Sequence, residues 1–182
     1  MEQFIDVVKA EHEGRLGYLL IGQERMVFAD LSPRVVIDES EPSTGKTVAV
    51  TALFGVVAGA AYTASKSSKI VDTEDKKRLR EIFDKYIETR DKSLLSSVSL
   101  DQLTKADPLL KLDERNIPYS STTKVGTKKP NTIAVTKRTN TGLAAEIYGS
   151  SKTLEFKVST GIEAFRNAVN EIKHLLPERF SA

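Results

Sequence analysis

An uncharged stretch, Thr47–Ser65, bracketed by Lys46 and Lys66, constrains this chain more than any other feature. Coiled as a helix, Val48–Tyr62 would be apolar on every side, and such a helix must be buried in protein or lipid. About 19 helical residues rise roughly 28 Å, close to the hydrocarbon thickness of a bilayer. Thr51, Gly55, Gly59 and Thr63 recur at every fourth position. They would form a ridge of small side chains that lets a second helix, including one from another copy, approach closely. Two readings stand. The run inserts into or lies on a membrane, or it packs as a helix or hairpin inside a protein core or oligomer interface. Lys69, Lys76, Lys77, Arg78 and Arg80 follow the run, against Arg34 and Lys46 before it. If a membrane is involved, that imbalance places the C-terminal side, and the bulk of the domain, in the cytoplasm. The alternative is a soluble cytoplasmic protein.

The composition removes several chemistries. The 182 residues contain no cysteine, so no disulfide, thiol nucleophile or cysteine zinc site is available. His12 and His174 lie near opposite ends, too few and too far apart in sequence to suggest a metal site. A net charge of +2 makes no general case for nucleic acid. The start, Met1-Glu-Gln-Phe-Ile-Asp6, lacks the basic and apolar segments of a secretory signal. Gly45-Lys46-Thr47 invites a phosphate-loop reading, but that motif needs glycine where Ser40 stands.

Along the chain, Phe4, Ile5, Val7 and Val8 read as a short amphipathic helix stopped by Gly14. Leu16–Ile21 and Met26–Ala29, parted by Gly22–Arg25, read as a hairpin, and Arg34–Ile37 as a third strand. Leu79, Ile82, Phe83, Tyr86 and Ile87 give one apolar stripe to an amphipathic helix over 73–92. Leu94–Leu103 continues in short helical turns to Asp107-Pro108. Beyond Leu110 the period becomes two. Ile117–Val125, Thr132–Thr136, Leu143–Tyr148 and Thr153–Val158 read as a meander, with turns at Lys129-Pro-Asn131, Asn140-Thr-Gly142 and Gly149-Ser-Ser151. Thr160 and Glu163 fit a capping box for a final helix whose stripe is Ile162, Phe165, Val169, Ile172 and Leu176. The chain thus divides into 1–39 (helix and first strands), 40–107 (a helical insertion) and 108–182 (remaining strands and closing helix).

Two segments carry a resemblance. Gly17, Leu19, Arg25 and Phe28 fit the hairpin pattern Gly-x-Leu-x-x-Thr-x-x-Arg-x-x-Phe, with Gly22 in place of the usual threonine. Ile117-Pro-Tyr119 leads to Val125, with Thr122 where isoleucine is common. The chain resembles the pleckstrin-homology (PH) superfamily in its GRAM-like and prokaryotic forms. The resemblance implies an α+β fold, a strongly bent antiparallel sheet or barrel with a C-terminal capping helix. The apolar helix 47–65 and the amphipathic helix 73–92 would then be inserted. It also implies a non-enzymatic binding module for lipid or a protein partner, with no cofactor and no small-molecule substrate.

For catalysis, the loop carboxylates Asp38, Glu39 and Glu41, the pair Asp107 and Asp113, and the two histidines show no informative spacing. The stronger feature is basic: Lys124, Lys128, Lys129, Lys137 and Arg138, candidates for an anionic ligand. The turns that carry them flank the strand Thr132–Thr136 at opposite ends, which argues against one pocket. Few aromatics interleave with these residues, as single-stranded nucleic acid would require.

Overall fold

A computed structural model describes residues 2–37, 68–111, 114–138 and 150–181. The apolar run with its ridge Thr51, Gly55, Gly59 and Thr63 lies outside these residues. So do Asp38, Glu39, Glu41, Asp113 and the expected strand Leu143–Tyr148.

The first element corrects the sequence reading. Phe4–His12 is a strand, β1, paired antiparallel with β2 (Arg15–Gly22). Its register slips between Phe4 and Asp6, a β-bulge that places one extra residue in the strand. Phe4 and Val7 pack on one face of the sheet, and Ile5 and Val8 on the other. A bulged strand with both faces buried therefore shows apolar residues at offsets 0, 1, 3 and 4, the spacing of a helix. Gly14 ends no helix. Glu13 (φ 51°) and Gly14 (φ 74°) form a two-residue hairpin turn between the paired residues His12 and Arg15.

β3 (Arg25–Ala29) completes the expected hairpin with β2. In its turn, at Gly22–Arg25, the side-chain bond comes from Glu2. Glu2 accepts the Glu24 N–H (3.1 Å) and pairs with Arg25 Nε (3.1 Å). A Cβ on Gly22 would come within 2.5 Å of Glu2 Oε1. Glu2→Ala is expected to lower stability by about 1–2 kcal/mol, read as an earlier urea midpoint, since a charge-assisted turn bond is lost.

After β3 come β4 (Arg34–Ile37) and β5 (Ser68–Val71), a separate antiparallel ribbon in which Ile37 pairs with Ser68. Next are α1 (Glu74–Thr89), a 3-10 segment (Lys92–Ser97), α2 (Leu100–Ala106) and a second 3-10 segment (Pro108–Lys111). Thr73 caps α1, and Ser99 and Gln102 form a capping box on α2. Then follow β6 (Asn116–Pro118), a 3-10 turn (Tyr119–Ser121), β7 (Thr122–Lys128), β8 (Thr132–Arg138), β9 (Ser151–Val158), α3 (Ile162–Leu175) and β10 (Phe180–Ser181).

The eight-stranded sheet has the order β10-β7-β8-β9-β1-β2-β3-β6. β8 and β9 pair directly, from Thr132↔Lys157 to Arg138↔Ser151. The expected continuous strand Ile117–Val125 is broken. β6 pairs with β3, whereas β7 pairs with β8, so the two are far apart in the sheet order. Tyr119 makes the corner. Its N–H donates to the Glu24 carbonyl (2.8 Å) and its buried hydroxyl to the Gly22 carbonyl (2.9 Å). Laid flat, β6 and β7 would sit about 29 Å apart, at roughly 4.8 Å per strand spacing. The three residues of the turn reach about 11 Å at most. The sheet therefore rolls until its ends approach.

Rolling creates an inner face. Val8, Ala10, Leu19, Ile21, Met26, Phe28, Ile133, Val135, Leu154, Phe156 and Val158 line it, and α3 packs Phe165, Ala168, Val169 and Ile172 against them. The expected capping box on α3 is not formed. Gly161 (φ 107°) is the N-cap with no side-chain bond, and Thr160 Oγ1 instead accepts the Lys9 N–H at 2.7 Å. The outer face of β1–β3 is covered too. Phe4, Val7, Tyr18, Leu20 and Val27 meet Leu79, Phe83 and Tyr86 of α1, together with Leu95, Leu103 and Leu110. Burial on both faces explains why Tyr18–Ile21 and Met26–Ala29 are unbroken apolar runs, whereas β8 and β9 alternate.

Candidate functional site

Among the described residues, no helix covers the outer face of β7–β9. On these strands the inward positions are apolar and the outward ones polar, because only one side meets the core. Opposite the inner row Val125, Val135 and Leu154 stand Lys124, Lys128, Thr136, Arg138, Thr153, Glu155 and Lys157. Lys124 lies across from Thr136, Lys128 from Thr132, and Lys157 from Thr132 on its other side. Lys128 forms an ion pair with Glu155. Among the described residues, Lys124, Lys129, Arg138 and Lys157 make no ion pair. Among the described residues the result is an exposed, predominantly cationic sheet face with one carboxylate, Glu155.

Four of the five basic residues singled out in the sequence, Lys124, Lys128, Lys129 and Arg138, thus lie on or at the edge of one face. Their turns are at opposite ends of β8, but the strands between them carry charge on the same side. Lys137 does not join them. Strand alternation turns it to the inner face, where it is only 4% exposed and pairs across the strands with Lys152. Lys157 is the member that sequence reasoning missed. Its signal was the alternation of Leu154, Phe156 and Val158, which sends residues 155 and 157 outward with β8's polar row.

A second polar group closes the inner face beside Lys137. Lys152 pairs with Glu114 and reaches toward Glu13 (4.0 Å). The Lys152 ammonium, helped by the charge of Lys137, holds the Glu114 carboxyl below the usual carboxylate range. His12 is buried between the Phe28 ring (centroids 5.4 Å) and the Phe156 ring (4.6 Å). Its Nδ1 lies 2.8 Å from the Glu155 carbonyl, which can only accept, so a neutral ring carries its proton there. Nε2 is then an acceptor, and it has no partner among the described residues.

Asp107, one of the carboxylates without informative spacing, is fully buried. It accepts from Arg115 (3.0 Å), the Asp30 N–H (2.9 Å) and the Leu109 N–H (3.2 Å). His174 is exposed on α3. No cluster of three or more His, Asp or Glu residues able to hold a metal occurs among the described residues. No helix among them is long and apolar enough to cross a membrane.

Comparison of the chain with protein-family models, with curated proteins and with solved structures returned no match.

Proposed function

We propose that this chain is a non-enzymatic, PH/GRAM-like binding module that works at an anionic membrane surface. The observation that carries the reading is the uncovered cationic face of β7–β9. The rolled sheet, the direct β7-β8-β9 meander and the packing of α3 inside the roll support the architecture. Lysine and arginine near an anionic bilayer contribute about 1 kcal/mol each. Among the described residues, Lys124, Lys129, Arg138 and Lys157 make no ion pair that such binding would break.

The ribbon supports a specific mode for the apolar run. Ile37 and Ser68 are paired, so the chain leaves and rejoins the fold at adjacent points. A single crossing by Thr47–Ser65 would oblige either 38–46, with Asp38, Glu39 and Glu41, or the two residues Lys66-Ser67 to recross the bilayer. Charged, irregular backbone is not tolerated in hydrocarbon, and two residues cannot reach. In this reading the run engages the membrane from one side.

The test is flotation of the full-length protein with phosphatidylserine-containing vesicles and with pure phosphatidylcholine vesicles. Preferential, salt-sensitive binding to the anionic vesicles is expected. Lys124→Glu combined with Lys157→Glu should weaken it about tenfold or more, without changing the far-UV spectrum. Deleting 47–65 should remove resistance to carbonate extraction while leaving part of the salt-sensitive binding. Equal binding to both vesicles, or unchanged binding by the double variant, would overturn the lipid-facing role of the sheet. A protein that binds neither and collapses on the deletion would instead be a soluble interaction domain whose apolar run is buried.

A further inference from the structure

The bulge in β1 does more than shift register. It places Asp6, an ionisable residue flanked by the apolar Phe4, Ile5, Val7 and Val8, at the junction where β1 meets α1, α3 and the 3-10 segment Lys92–Ser97. Asp6 is only 2% exposed. Its Oδ1 accepts from the adjacent Val7 N–H (2.8 Å), from Tyr86 Oη (2.8 Å) and from Arg90 (3.1 Å). Tyr86 lies in the last turn of α1, and Arg90 is its left-handed cap (φ 57°), with its N–H on the Tyr86 carbonyl. Oδ2 is buried with no partner among the described residues. On α3, Glu171 is near enough for its charge to act on Asp6, and Lys92 of the 3-10 segment pairs with Glu171 (3.2 Å).

We infer that Asp6 is a proton-linked latch that docks the C-terminal end of α1 onto the outer face of the sheet. Every bond that α1 makes to this carboxyl falls on one oxygen, so the second bears a buried, uncompensated share of the charge when Asp6 ionises. Burial is the largest influence on the group and raises its pKa above the ordinary 3.8. Glu171 adds to that, while Tyr86, Val7 and Arg90 oppose it. A carboxyl raised in the folded state contributes docking stability that is complete below its unfolded pKa. That contribution is lost as pH rises through the folded one. Neutral Asp6 holds α1 most firmly. Ionised Asp6 loosens it and favours uncovering of Phe4, Val7, Tyr18 and Leu20.

The test is hydrogen exchange on the full-length protein from pH 4 to pH 7.5, corrected for intrinsic rates. Amides of α1 are compared with those of α3 as an internal reference. Relative protection of α1 is expected to fall with rising pH, about tenfold for each pKa unit that docking adds to Asp6. In Asp6→Asn that fall should vanish. Should Asp6→Asn fail to fold, Tyr86→Phe keeps the carboxyl but removes a donor to its charged form, and the midpoint should move to higher pH. Parallel changes in α1 and α3, an unaltered pH profile in Asp6→Asn, or an unmoved midpoint in Tyr86→Phe would each overturn the latch.

Discussion

Asp107→Ala is expected to destabilise the fold by about 3–5 kcal/mol, because it leaves a buried guanidinium without its counter-charge. Asp107 is fully buried and Arg115 is only 8% exposed, so water cannot readily replace the carboxylate. The loss extends beyond the ion pair. The Asp30 and Leu109 N–H groups, which fix the chain leaving β3 and the turn after α2, lose their acceptor at the same time. The measurement is urea unfolding, in which the midpoint should drop with the slope unchanged. The two main-chain donors use different carboxylate oxygens, so Asp107→Asn keeps an acceptor for only one of them and should be somewhat milder than the alanine. A loss below about 1 kcal/mol in Asp107→Ala would mean that the site is wetter than its burial implies.

Phe28→Ala should cost a similar amount, about 3–5 kcal/mol, by opening a cavity at the centre of the inner face. The Phe28 ring is fully buried and touches four distinct groups. His12 and Phe156 lie at centroid distances of 5.4 and 5.8 Å, and the Arg115 guanidinium stacks 5.9 Å from the ring centre. The fourth is Gly17, where an added Cβ would come within 2.8 Å of Phe28 Cζ and 2.5 Å of the Ala29 carbonyl. The ring therefore occupies space that only glycine leaves open. Because Arg115 contacts both Phe28 and Asp107, the two substitutions share a partner. Their combined effect should fall short of the sum, a coupling that a double-mutant cycle measures directly.

Those contacts explain why part of the fold was legible. Gly17, Leu19, Arg25 and Phe28 form a recognisable pattern because each meets a local demand. Gly17 admits the ring, Leu19 and Phe28 fill the inner face, and Arg25 ties the turn to Glu2 and Asn116. The alternation in β8 and β9 was equally readable, since one side faces water. β1 was misread because a bulge and two buried faces erased its period of two. The Thr160–Glu163 spacing suggested a capping box, but Thr160 is used to hold Lys9 of β1. The corner at Tyr119 was invisible because its bonds reach the β2–β3 turn, almost a hundred residues earlier in the chain. For the site, charge alone picked out Lys124, Lys128, Lys129, Lys137 and Arg138, and the position of their turns argued against one pocket. The pairing of β7 and β8 is what sets Lys124, Lys128 and Arg138 on one face. The inward turn of Lys137 follows from the parity it shares with Ile133 and Val135, a signal already present in the alternation of β8.

The pairing of Ile37 with Ser68 also bears on how such a protein can change over time. A segment whose two ends are already held side by side adds little chain entropy to the folding of its host. Each doubling of its length costs only about 0.6 kcal/mol. Residues 38–67 can therefore lengthen, shorten or exchange their chemistry with small effect on the energetics of the rolled sheet. Selection can act on the excursion and on the scaffold almost independently, and one scaffold can carry different excursions to different surfaces.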